Sequence, residues 1–282
     1  MLNIHAIRTG DVQIKSRHAV ARRDGRPARV FDVLADRTWT PRLPITCYAI
    51  DHPEGLIVVD TGESSHANDP GYQPWWHPVI RTAERRWVSP EEEVGPQLRK
   101  LGFDPGSVSR IVMTHMHGDH AGGLSYFEDA EVLMTERETA MALARTGPLN
   151  GYLNNHYPDW LDPQRVSFDS DPWESFDASL ALTSDGAVRL IPTPGHTLGH
   201  LSVVVDGGED LVLLTGDAAY SEDALRHGLV DGVAQDARLH RETTRRMRDL
   251  CARRRVVVVP THDPDGAQRL AAAQTSRREA SE

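Results

Sequence analysis

Short apolar runs bounded by Gly, Pro and Asp recur along the chain, and each predicts a β-strand. Residues 2–7 alternate apolar and polar positions as a half-buried strand does, and 11–15 continue the style beyond the turn-forming Gly10. Residues 45–50 and 56–60 read as two strands joined by Asp51-His52-Pro53-Glu54-Gly55, whose residues suit a tight hairpin turn. The run 109–113 reads as a buried strand, and 130–134, 188–191, 201–205, 211–215 and 256–260 supply the others. Helical signals fall between these runs. Ser89 is an N-cap followed by Pro90 and the first-turn acids Glu91, Glu92 and Glu93, with Val94, Leu98 and Leu101 at helical spacing. A second helix is predicted over 135–144, where Glu136 and Glu138 suit a helix start, and a third, basic one precedes the last strand.

Three stretches have no clear period. Residues 16–44 are rich in Arg, Asp, Pro and Gly around an apolar island at Val30-Phe31-Asp32-Val33-Leu34, which fits an exposed loop or an arm lying on a partner subunit or over a site. Residues 63–88 carry Tyr72, Trp75, Trp76 and Trp87 with His66 and His77, and fit either a cover over something apolar or a loop anchored by its tryptophans. Residues 145–173 combine glycine, asparagine and aromatics, a composition suited to a pocket rim, with His156 as a rim or surface histidine.

Composition narrows the classes. A chain of 282 residues with 39% hydrophobic residues has ample core for one domain, and nothing forces a second. Its formal charge of −10 disfavours nucleic acid and anionic membrane surfaces, so the arginines at 241, 245, 246, 248 and 253–255 read as a solvated helix face. Cys47 and Cys251 form no metal-binding pair, so any metal must use nitrogen and oxygen ligands. No leader and no membrane-length apolar run is evident, and a cytoplasmic protein is expected.

The candidate chemistry is concentrated in Thr114-His115-Met116-His117-Gly118-Asp119-His120-Ala121-Gly122-Gly123, directly after the 109–113 strand. His115 and His117 would share a face of an extended backbone and grip one ion, while Asp119 and His120 sit where the turn can direct them to a second. Further candidates also follow strands: His196 and His200 in Thr193-Pro194-Gly195-His196-Thr197-Leu198-Gly199-His200, Asp217 after Gly216, and His262 after Thr261. Two divalent ions in such a site would make hydroxide available near neutral pH, which predicts hydrolysis. An N/O donor set suits Zn²⁺ and is also compatible with Fe, Mn or Co.

His115-Met116-His117-Gly118-Asp119-His120 resembles the His-x-His-x-Asp-His signature of the metallo-β-lactamase-fold hydrolases, and the likeness extends from about Ile45 to His262. It implies an α/β chain folded as an αββα sandwich, two mixed sheets face to face with helices outside, in a single domain over 1–282. It implies that His115, His117 and His196 hold one metal, that Asp119, His120 and His262 hold the other, and that Asp217 bridges them. The Asp60-Thr61-Gly62 turn is similar to one that supports the ligand shell in this fold, and His200 is left to packing or support. Among the branches, Gly216-Asp217-Ala218-Ala219-Tyr220 is similar to the N-acyl-homoserine lactonases, whose tyrosine three residues after the bridging aspartate contacts the lactone. That resemblance implies opening of the lactone ring of N-acyl-homoserine lactones by hydroxide held between two metals, with Tyr220 stabilising the oxyanion and Asp119 moving the proton to the leaving alkoxide. The partner is then a small lactone or ester, and a homodimer is compatible with an arm at 16–44. Three alternatives stand beside this one. A glyoxalase II-like thioesterase would need more than the twenty residues that follow His262, an RNase Z-like nuclease would need a basic arm, and a non-catalytic metal-bound scaffold would be expected to have lost ligands.

Overall fold

The computed structural model describes residues 2–168, 171–208 and 210–281; residues 169 and 170 of the predicted rim segment lie outside the described residues. Two sheets form its centre. The first contains β1 (Asn3–Ile14), β2 (Leu43–His52), β3 (Gly55–Val59), β4 (Glu84–Trp87), β5 (Val108–Val112), β6 (Glu131–Thr135) and β7 (Gln164–Val166), in the order β4-β1-β2-β3-β5-β6-β7. Antiparallel pairing on the β1 side gives way to parallel pairing from β3 to β7, so the sheet is mixed. The second contains β8 (Leu180–Ala181), β9 (Val188–Pro192), β10 (Leu201–Asp206), β11 (Leu211–Leu214) and β12 (Val256–Val259), in the order β12-β11-β10-β9-β8. Only the β11–β12 pair is parallel.

Both faces of each sheet are covered, which is why the strands read as short continuous apolar runs. Between the sheets, Tyr48, Ile50, Ile57, Val59 and Val112 meet Leu190, Leu201, Val203, Val205 and Leu214. The outer face of the first sheet packs on α4 (Val94–Lys100) and α6 (Glu136–Ala142) through Val94, Leu98 and Ala142. The outer face of the second packs on α7 (Glu222–His227) and α8 (Ala237–Arg253) through Leu225, Met247 and Leu250. Strand β10 displays the alternation: Leu201, Val203 and Val205 face the inter-sheet core, and Val204 faces α7 and α8. The four layers are those of the αββα sandwich, and α9 (Gly266–Ser281) packs beside β12 and β1.

Several local expectations change. The predicted break at Gly10 is a bulge within one long strand, with the β1–β2 register shifting between Arg8 and Asp11. The capping signal at Ser89 is present as a full capping box with Glu92, but it starts a 3₁₀ turn, and α4 begins only at Val94. Residues 16–44 are not an open loop. They form α1 (Ser16–Ala19) and α2 (Arg26–Ala35), and α2 packs on α3 (Pro78–Ala83) with Val33 fully buried. The island Val30, Val33 and Leu34 is the apolar stripe of α2, at a spacing too short to stand out in sequence. The basic face of α8 is neutralised by acids: Arg245 pairs with Glu242 and Asp249, and Arg246 with Glu242 and Asp177.

Candidate metal centre

The strands β3, β5, β9, β11 and β12 run in a common direction within their sheets, and the chemistry lies just beyond their C-terminal ends. Asp60 follows β3, His115 to His120 follow β5 and enter the short helix α5 (Gly118–Ala121), His196 follows β9, Asp217 follows β11 and His262 follows β12. The backbone before Asp217 is tight: Gly216 adopts φ +53°, and a Cβ there would lie 2.7 Å from Thr114 Oγ1 and 2.9 Å from His200 Nε2.

The seven predicted ligands converge as two clusters sharing one carboxylate. His115 Nε2 lies 3.1 Å from His117 Nδ1, which lies 3.0 Å from His196 Nε2. In the second cluster, His262 Nε2 lies 3.4 Å from both Asp119 Oδ2 and Asp217 Oδ1, and His120 Nε2 lies 3.3 Å from Asp217 Oδ1. Asp217 Oδ2 faces the first cluster, 3.6 Å from His196 Nε2. Its two oxygens thus point to different clusters, the placement a bridging carboxylate needs.

The outer hydrogen bonds fix which nitrogen of each ring carries the proton. His117 Nε2 donates to Asn150 O at 3.0 Å, His196 Nδ1 to Asp231 Oδ2 at 3.1 Å and His262 Nδ1 to Pro44 O at 2.9 Å. Asp60 accepts from His120 Nδ1 at 2.8 Å and from the Thr114 hydroxyl, whose oxygen is 3.2 Å from His115 Nδ1. In each neutral ring the inward nitrogen is therefore the one that carries the lone pair. His120 Nε2 and Asp217 Oδ1 are buried without a hydrogen-bond partner. Five lone pairs and two carboxylates aimed at shared points are what divalent cations satisfy, and the donor set is the one expected of Zn²⁺ and its neighbours.

The electrostatics agree. Burial pushes His115 well below the ordinary imidazole range, with the neighbouring imidazoles adding to it, and it pushes His117 down to about 4. In the second cluster, burial also disfavours charge on His262, but Asp217 and Asp119 overcome it and pull the ring up to about 10. The carboxylates demand positive charge at this point. Burial likewise opposes ionisation of Asp119, yet His120 and His262 hold it below the usual carboxylate range.

Tyr220 is 9% exposed, its ring 5.4 Å from that of His262 and 6.0 Å from that of His196. It stands with Asp119 and Asp217 in the wall of a cavity of about 360 Å³. Aliphatic residues from the non-periodic stretches cover the same cavity: Val30, Val79, Ile80 and Leu149, with Trp76 and His77. Other aromatics of those stretches do different work. Trp75 is exposed, Trp87 stacks on the Arg42 guanidinium, and Tyr72 stacks on His156 at 3.8 Å, joining two of the stretches. His66 is on the surface with Asp69, and His77 caps α3.

His200 is not among the converging nitrogens. Its Nδ1 is 2.8 Å from Thr193 Oγ1, and its Nε2 accepts the Asp217 backbone N–H at 3.1 Å, so it seats the shared carboxylate. Two residues escape sequence reasoning. Asp231 sits in an unpatterned loop and bonds His196; Glu138, whose position suggests only a helix-start acid, is fully buried. Its Oε1 accepts the Met116 N–H and its Oε2 accepts the Thr197 hydroxyl, joining the two loops of the first cluster.

The profile of the Metallo-beta-lactamase superfamily matches residues 40–262, and the chain belongs to this superfamily. It is 32% identical over 241 residues to the "Probable metallo-hydrolase Rv2300c" of Mycobacterium tuberculosis, covering 77% of this chain and 73% of that one. It is 28% identical over 236 residues to the N-acyl homoserine lactonase AttM of Azorhizobium caulinodans, covering 79% and 83%. Among solved structures, an N-acyl homoserine lactone hydrolase with the product N-hexanoyl-L-homoserine at its catalytic metal centre superposes with a TM-score of 0.74, at 20% identity over 93% of both chains. At that identity the likeness shows the fold. The chain is a metallo-hydrolase of this fold, related to lactonases, with His/Asp clusters able to hold metal.

Proposed function

We propose that the protein opens the lactone ring of N-acyl-homoserine lactones, using two divalent metal ions, Zn²⁺ first among them. The first would be held by His115, His117 and His196, the second by Asp119, His120 and His262, with Asp217 between. The observation that carries this reading is the place of Tyr220, beside both clusters and in the wall of one cavity that also has aliphatic residues in its lining. The relation to lactonases supports it. Bound metals would supply hydroxide at neutral pH and polarise the ester carbonyl.

The chain's own groups do the rest. Burial, with the nearby carboxylates adding to it, raises the Tyr220 phenol well above its ordinary range, so it keeps its proton and donates to the ester oxygens as negative charge develops. Asp119, ionised at neutral pH, is placed to carry the proton of the added hydroxide to the leaving alkoxide as the ring opens. Val30, Val79, Ile80 and Leu149 receive the acyl chain and exclude water from it. No helix among the described residues is long and apolar enough to cross a membrane.

The test is hydrolysis of a short- and a long-chain N-acyl-homoserine lactone by metal-loaded protein, beside S-lactoylglutathione, with Asp119→Asn as control. Lactone opening that Asp119→Asn abolishes supports the reading. Turnover of the thioester alone would move the protein to the glyoxalase II-like reading.

A further inference from the structure

One wall of the cavity is polar. His18, on α1, is 5% exposed and lines the cavity, and its Nδ1 has no hydrogen-bond partner. Glu84 Oε1 lies 3.8 Å from that nitrogen, too far for a hydrogen bond. Arg86, two residues along β4 and so on the same face, pairs with Glu84 and, at 2.8 Å, with the fully buried Glu63. Glu84 and Arg86 line the cavity too.

His18 is held in place. Its carbonyl accepts the Gly232 N–H at 2.7 Å, and the Ala21 N–H donates to Val230 O, so α1 is fastened to the loop that carries Asp231. Its ring is 6.2 Å from that of Tyr220, which in turn neighbours His196 and His262. The polar wall therefore stands one aromatic ring from the metal ligands. A buried imidazole nitrogen with no protein partner in a cavity wall is a recognition point for a ligand group that can bond to it. Burial lowers the His18 pKa against the opposing pull of Glu84, which leaves the ring neutral and able to donate through Nδ1–H.

We propose that His18, Glu84 and Arg86 form a polar subsite for a hydroxyl on the acyl part of the substrate, so that hydroxylated acyl lactones are preferred to unsubstituted ones. This rests on the lactone reading above. A hydroxyl oxygen can sit about 2.8 Å from both His18 Nδ1 and Glu84 Oε1 across their gap, accepting from one and donating to the other. A ketone can only accept, and a methylene leaves both groups unsatisfied. A carboxylate would meet the ionised Glu84, which already holds the Arg86 guanidinium.

The experiment compares kcat/KM for N-acyl-homoserine lactones of equal chain length, unsubstituted or carrying a hydroxyl at the third or the terminal carbon. Wild type, His18→Leu and Glu84→Gln are used, each checked for folding by its thermal midpoint. A preference of about tenfold or more for one hydroxylated lactone is expected in wild type, the size of a hydrogen bond to a charged group; it should fall to near one in His18→Leu and at least severalfold in Glu84→Gln, whose amide oxygen can accept only a neutral bond. Equal kcat/KM in wild type, or a preference that both variants keep, would overturn the subsite while leaving lactone opening intact. Calorimetric binding of the same acyl chains as simple amides separates the two ideas if no lactone is opened. Tighter binding of a hydroxylated amide, lost in His18→Leu, keeps the subsite without the lactonase, and equal binding removes it.

Discussion

Asp60 Oδ2 lies 2.8 Å from His120 Nδ1, and the same oxygen accepts the Thr114 hydroxyl that meets His115 Nδ1, so one buried carboxylate orients a histidine in each cluster. Asp60 holds this position at φ +57°, an uncommon backbone conformation for a residue with a side chain. It also accepts the Thr114 N–H, so its oxygens face donors only. Asp60→Asn would turn an amide NH₂ toward such a donor. Metal affinity is expected to fall about 10- to 100-fold, the usual effect of removing a group that orients a ligand, and chelator competition measures it. Unchanged affinity would show that Asp60 is only a turn residue.

Glu138 ties the loop of His115 and His117 to that of His196 by accepting from Met116 and Thr197. Glu138→Ala leaves two buried donors unpaired, for a loss of about 2–6 kcal/mol of stability, read from denaturant unfolding. Glu138→Gln keeps one acceptor for the Met116 N–H, and its NH₂ can donate to the Thr197 hydroxyl once that turns to accept, so it should cost less than about 1.5 kcal/mol. Equal losses in the two variants would contradict the tie.

Much of this site is legible in sequence, and what is not has a physical cause. His115 to His120, His196, Asp217 and His262 each follow a strand whose apolar run marks its end, so the candidate ligands and the sandwich emerge together. Asp231 and Glu138 act through contacts between distant loops, for which spacing along the chain carries no signal. Helix α2 is hidden because its apolar stripe spans only Val30 to Leu34 between polar residues, and tertiary packing on α3 supplies its stability.

Burial raises the Glu63 carboxyl to about 7, with Arg86 opposing. The folded state therefore holds a proton that the unfolded chain has already released, and stability from this group falls as pH rises from about 4.5 to 7. The shift corresponds to about 3 kcal/mol. Glu63→Gln does not titrate. The thermal midpoint of wild type relative to Glu63→Gln should decline across that window, and a flat difference would contradict the assignment.

Tyr220→Phe removes a hydrogen-bond donor beside both clusters without touching a proposed ligand. Its kcat/KM for lactones is expected to fall about 100-fold, with metal content equal to that of wild type by elemental analysis. Loss of metal in this variant would instead mark Tyr220 as part of the scaffold.

The most direct measurement is a titration of metal-free protein with Zn²⁺, following metal bound per chain and opening of an N-acyl-homoserine lactone together. The expected result is two ions per chain, with activity rising as the second is taken up. Full activity without metal, or two bound ions and no lactone opening, would contradict the proposed function.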